Sequence, residues 1–297
     1  MKKIFLLVIA IVLIVSLSVV GLMGCQGSTS LTQIFSEENI WKEASFPETF
    51  TYSMYKDGET TSMGTLTMTV VELEPNKTYY LGKTGDVDES EKIYSAKAAS
   101  VRPTYKATTT LVAGTYTQTS IAYFTDNFRM LMTYSSVVED GKETSYIARN
   151  EDNKKYYYRT NANWNEELSI KNGKYESSPY YDNTMIYYVA RTMPNDSTYS
   201  SFSFNIFNHD TNKKEAVSLT NPVNSGDTLE IGSATFNVKK ITMTTTDKLL
   251  GTTNKLECYI NQAKKNKSKN VILQIMCIYT AGKFHCLTGT HLRWDVW

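Results

Sequence analysis

The stretch "FTYSMYKDGETTSMGTLTMTVVEL", Phe50 to Leu73, decides the fold class. Phe50, Tyr52 and Met54 recur at every second position, the chain turns through Lys56-Asp57-Gly58-Glu59, and Leu66, Met68 and Val70 then alternate with Thr65, Thr67 and Thr69. A two-residue period puts successive side chains on opposite faces of a strand, so the pattern predicts an antiparallel hairpin with one apolar and one wet face.

The same alternation recurs on both sides of further turn signals. It appears in "TTTLVAGTYTQTSIAYF" (Thr108 to Phe124), in "FRMLMTYSSVVEDGKETSYIA" around Asp140-Gly141, and in "KKYYYRTNANWNEELSIKNGKYE" around Asn172-Gly173. Strands return at Phe202, Phe204 and Ile206, turn through Asn208-His209-Asp210, and continue in "DTLEIGSATFNVKKITM" around Gly232. One segment differs. In "DNTMIYYVARTM", Met185, Ile186, Val189 and Ala190 share a helical face, Asp182 is placed to cap it, and Pro194 stops it. A shorter helix is expected within Leu31 to Ala44, with Ser36 as its cap. These elements make a mainly β chain, an antiparallel meander with one helix laid against it.

Composition agrees. Twenty-one tyrosines and frequent threonines favour pleated sheet, because aromatic and β-branched side chains pack well on a half-buried strand surface. Apolar residues make up 41% of the 297, enough for a sizeable core. The 31 basic and 30 acidic residues nearly cancel, which leaves no field to gather nucleic acid or an acidic substrate.

The amino terminus speaks to location. Lys2 and Lys3 precede an uncharged apolar run, Ile4 to Met23, in the layout of an export signal. The run ends in Leu22-Met23-Gly24-Cys25, which resembles the lipobox of bacterial lipoproteins. That resemblance implies a diacylglycerol on the thiol of Cys25, cleavage before it, and a protein anchored to the outer side of a membrane. Gln26 to Ser30 then reads as a flexible tether. Read otherwise, the same run is long enough to span a bilayer as a retained helix.

Three segments together resemble the bacterial exported family known as domain of unknown function 3108. They are "YSMYKDGETTSMGTLTMTV" (Tyr52 to Val70), "DNTMIYYVARTMP" (Asp182 to Pro194), and "SFSFNIFNHDTNKKEAVSL" followed by "GSATFNVKKI". The matching positions are Asp57-Gly58, Gly64, Asp182, Arg191 and Gly232. The resemblance implies a strongly curved antiparallel sheet, a half-barrel similar to lipoprotein carriers, with the helix on its concave side. The expected organisation is a signal peptide over 1–24, a tether and short helix over 25–48, the curved β domain over 49–260, and an atypical C-terminal segment over 261–297. That last segment has one acidic residue and no proline, and it departs from the family pattern as a divergent insertion or a reading-frame shift would.

No catalytic residues are expected. There is no G-x-S-x-G elbow, no His-Glu-x-x-His and no P-loop, and His209 falls in a turn. Cys258, Cys277 and Cys286 are spaced by 19 and 9, without the paired knuckle that zinc sites use, so a disulfide between two of them is the stronger expectation and no metal is assigned. "GDVDESEK", Gly85 to Lys92, lacks the glycine and closing glutamate of a calcium loop and reads as a solvated acidic loop. Tyr156-Tyr157-Tyr158 and Tyr180-Tyr181 fit alternating strand positions better than a sugar-binding face. The expected function is therefore binding without catalysis or cofactor. An apolar, lipid-like ligand would lie against Leu66, Met68, Val70, Met185, Ile186 and Val189, residues that serve equally as an ordinary core. The alternative is a surface scaffold that contacts cell-wall glycan or an envelope protein.

Overall fold

The structure is a computed structural model. It describes residues 46–56, 61–150, 155–160, 163–164, 168–169, 181–193, 200–208, 213–222, 226–231, 233–246, 254–262, 272–278 and 284–288. The fold is mainly β with one lone α-helix among these residues, and the sheet does not close into a barrel. No helix among them is long and apolar enough to cross a membrane.

The quoted stretch forms the expected hairpin. Strand β1 (Glu48–Lys56) pairs antiparallel with β2 (Gly64–Glu72), with Phe50 opposite Met68 and Tyr52 opposite Leu66. Leu66, Met68 and Val70 are buried, while Thr65 is exposed and Thr67 and Thr69 are half-buried. Gly64 opens β2 so close to the next strand that a Cβ there would overlap the carbonyl oxygen of Val112.

Between β2 and the next long strand lies a small sheet of β3 (Thr78–Gly82), β4 (Gly85–Asp86) and β5 (Tyr94–Lys97). The meander then runs through β6 (Thr104–Ala113), β7 (Tyr116–Thr125), β8 (Met130–Glu139), β9 (Lys142–Asn150) and β10 (Lys155–Thr160), each paired antiparallel with its predecessor. The β8–β9 turn is the anticipated Asp140-Gly141. Both residues have positive φ, 51° and 74°, as a two-residue hairpin that follows the strand twist requires. Two short pieces, β11 (Asn163–Trp164) and β12 (Leu168–Ser169), pair back onto β10.

The second half begins with β13 (Tyr181–Asp182), a turn of 3-10 helix over Asn183–Met185, and helix α1 (Ile186–Arg191). The helix is shorter than its apolar spacing suggested. Asp182 lies in β13 at the register position of Phe207, immediately before the 3-10 turn, and Met185 stands before α1 without a side-chain bond. Six residues without a cap are too few to hold a helix alone, so tertiary contacts sustain it. Strands β14 (Ser201–Asn208), β15 (Lys213–Thr220), β16 (Asp227–Ile231), β17 (Ala234–Thr244) and β18 (Lys255–Asn261) follow. β13 runs parallel to β14; the other pairings are antiparallel.

The segment after Asn261, set apart by its composition, supplies two further strands. β19 (Ile272–Ile278) pairs with β18, and β20 (Phe284–Thr288) lies between β19 and β1. Among the described residues this is the ladder that joins the β13–β19 half to the β1–β10 half. Ile272, Leu273 and Ile275 are buried in the main core.

Alternate residues of β7 enter two separate apolar clusters. Ala122 and Phe124 join the main core with α1, and Ile121 and Tyr123 join a second cluster with Leu81, Tyr94 and Ala96 of the small sheet. Since neighbours in a strand face opposite ways, the two clusters meet β7 on opposite faces, and the small sheet belongs to one of them. A chain ending at Asn261 is expected to lose cooperative urea unfolding, because it removes three buried core residues and the ladder between the halves. A sharp, unshifted transition in that truncation would contradict the role assigned to β19 and β20.

Candidate functional site

All six residues expected on an apolar face come together. Leu66, Met68 and Val70 on β2, Met185 just before α1, and Ile186 and Val189 within it belong to one core with Phe50, Tyr52, Tyr188 and residues of β14 to β19. Every residue of α1 is buried, which goes beyond the single face read from the spacing. Cys25 lies outside the described residues.

At the end of α1 the core holds a charge. The Arg191 side chain is 4% exposed and donates through both terminal nitrogens to Glu48, at 2.8 Å and 2.9 Å, in a two-pronged pair. Its guanidinium carbon also stands 4.8 Å from the centre of the Phe50 ring. A buried guanidinium is tolerable only with an anion and full hydrogen bonding, and the planar fork of arginine matches a carboxylate. Burial acts to lower the Arg191 pKa, but Glu48 outweighs it and the net direction is upward. The end of the helix is also satisfied: Lys239, itself buried, donates from Nζ to the Met193 carbonyl at 2.7 Å, and Thr192 Oγ1 donates to the Val189 carbonyl at 2.8 Å.

Two tyrosines border this pair. Tyr52 donates to the Ile272 carbonyl at 3.0 Å, and the Tyr188 and Thr109 hydroxyls lie 3.3 Å apart. Burial pushes both phenols well above their ordinary range, opposed in part by Arg191 for Tyr52 and by Thr109 and Arg191 for Tyr188.

The remaining candidates fall apart or fall outside. Tyr181 is buried and meets Phe204 edge-on at 5.9 Å, so it is a core residue. The side chains of Tyr156, Tyr157 and Tyr158, and the residues Tyr180 and His209, lie outside what is described. Cys258 is a buried thiol, and Cys277 and Cys286 occupy strands β19 and β20. In the acidic loop Glu89 and Glu91 are exposed, but Asp86 accepts from Lys106 at 2.9 Å and from the Tyr123 hydroxyl, which fastens the small sheet to the meander. Among the described residues no cluster of three histidine, cysteine or acidic side chains could hold a metal.

Glu48 was assigned to the tether by sequence, and its partner is 143 positions away. An arginine within an otherwise apolar helical run was the available signal, and it names no partner. No known protein family, curated protein or solved structure matches this chain.

Removing one partner of the buried pair leaves the other unmatched. Arg191→Met is expected to cost about 3–5 kcal/mol in urea unfolding, and adding Glu48→Leu should recover most of it. A loss below about 1 kcal/mol for the single variant would mark the pair as a surface-like contact. The tyrosines set an alkaline limit. Since folded Tyr52 and Tyr188 hold their protons above the unfolded value, their contribution is complete below about pH 10 and declines as the pH rises past it. Tyrosinate absorbance from these residues should therefore appear only together with unfolding.

Proposed function

We propose that this chain is a lipid-anchored extracytoplasmic protein that works by binding rather than by catalysis. The arrangement of signal, Leu22-Met23-Gly24 and Cys25 supports the anchor, since two acyl chains on one cysteine hold a protein on a membrane stably where one does not. A half-barrel with α1 on its concave side is the geometry we propose for the meander. Its support is that α1 shares one core with strands from both halves and exposes none of its six residues.

That filled interior also bears on what is bound. An acyl chain could reach Leu66, Met68, Val70, Met185, Ile186 and Val189 only if α1 moved away, and α1 is tied to β1 through Arg191 and Glu48. The burial of α1 on every side is the observation that favours a scaffold presenting its outer surface to cell-wall glycan or an envelope protein over an apolar-ligand carrier.

Labelled palmitate should enter the native protein and fail to enter a Cys25→Ser variant; persistence of the uncleaved leader without label would remove the anchor. A fluorescent fatty acid should show no saturable binding to the delipidated chain, and purified wall material should retain it. Saturable binding, abolished by bulky substitution at Met68, would instead restore the carrier.

A further inference from the structure

The wet face of the β1–β2 hairpin continues across two more strands. Thr51 of β1, Thr67 of β2, Thr110 of β6 and Thr119 of β7 stand opposite one another in register and form one row across the sheet. A second row runs through Thr49, Thr69 and Thr108, and a third through Ser53, Thr65, Val112 and Thr117. None of these residues is buried: Thr49, Thr51, Thr65 and Val112 are exposed and the rest are half-buried. Val71, Ile121 and Tyr123 continue the same face and pack with the small sheet, which therefore bounds the array at one end.

The rows carry no charged residue, whereas a solvated surface ordinarily mixes both signs. A protein partner with the usual mixture of surface charges finds no counter-charge here; a neutral polymer needs none. Threonine sets a hydroxyl that donates and accepts beside a methyl group, and its branched Cβ keeps χ1 stiff, so little freedom is lost on binding. The hydroxyls of Thr49 and Thr69 lie 3.1 Å apart, while those of Thr51, Thr67, Thr110 and Thr119 have no protein hydrogen-bond partner among the described residues. Along a row the step between side chains is the strand spacing, about 4.8 Å. A β-linked pyranose chain advances by a similar step per ring and presents both hydroxyls and C–H groups. The twist between neighbouring strands, about 20–25°, is absorbed by its glycosidic torsions.

Building on the scaffold reading above, we infer that these threonine rows are the contact surface and that their ligand is an uncharged β-linked glycan lying across β1, β2, β6 and β7. One sugar ring sits over each threonine of the central row. The threonine hydroxyls exchange hydrogen bonds with sugar hydroxyls, and the methyl groups meet the ring C–H groups. The small sheet stops the chain from sliding along the strands in one direction. The opposite face of β1, β2, β6 and β7 stays in the main core, so binding needs no movement of α1.

Titration of an uncharged N-acetylglucosamine hexamer into the folded full-length protein, followed by calorimetry, tests this. Binding should be saturable and nearly independent of salt, because no ion pair forms. Thr67→Val combined with Thr110→Val keeps the shape and removes two hydroxyls, and should weaken binding about tenfold without lowering the urea midpoint. Thr51→Lys, at an exposed position, should also weaken it by placing a charge in the row. Absence of hexamer binding overturns the ligand, and binding unchanged in both variants overturns the surface. An envelope protein that binds the rows in place of the hexamer overturns the ligand as well. Purified wall material that retains wild type and both variants equally leaves the scaffold reading standing and removes this face from it; wall material that fails to retain the wild-type protein removes the scaffold reading itself.

Discussion

A guanidinium inside an apolar core must meet an anion, and in this protein that requirement ties the helix to the first strand. Arg191 ends α1 and Glu48 begins β1, and both terminal nitrogens are used on one carboxylate. The helix itself is too short to persist alone and has no cap bond at its start. Its position thus depends on the pair, on the Phe50 ring beside it, and on Lys239 at its exit. β1 in turn carries Tyr52, whose hydroxyl bonds to Ile272 of β19, and it is the strand beside β20. Charge pairing, core packing and the meeting of the two halves therefore converge on one nine-residue strand.

The meander has an apolar cluster on each face along β7 and β8. On one side lies the main core, and on the other the inserted small sheet joins Ile121, Tyr123 and Tyr134 in a second cluster. Such double coverage explains why β7 and β8 lack the clean apolar-polar alternation of β2: residues Ser120 to Thr125 and Met130 to Ser136 are buried without a break. The Asp86 contacts with Lys106 and Tyr123 fasten that cover, which is a structural use for part of a loop whose composition suggested solvent alone.

Legibility in the sequence followed the range of the interaction. The β1–β2 hairpin, the Asp140-Gly141 turn and the helix near Ile186 depend on residues a few positions apart, and local periodicity and turn chemistry reveal them. The strands after Asn261 were hidden by an unusual composition, although Ile272, Leu273 and Ile275 are buried apolar residues like those of any strand core. Glu48 was hidden for a different reason: a carboxylate at the edge of a tether looks solvated until the fold brings a cation to it.

What the sequence determined by itself is the mainly β class and several strand boundaries, since each rests on neighbours along the chain. Only the tertiary structure decided that the six apolar candidates share a filled core, that Arg191 meets Glu48, and that Asn183, Asn208 and Glu215 form one hydrogen-bonded chain. Those contacts join distant segments, and the free energy that favours them comes from burying apolar surface and matching buried charges together, which no single stretch can accomplish alone.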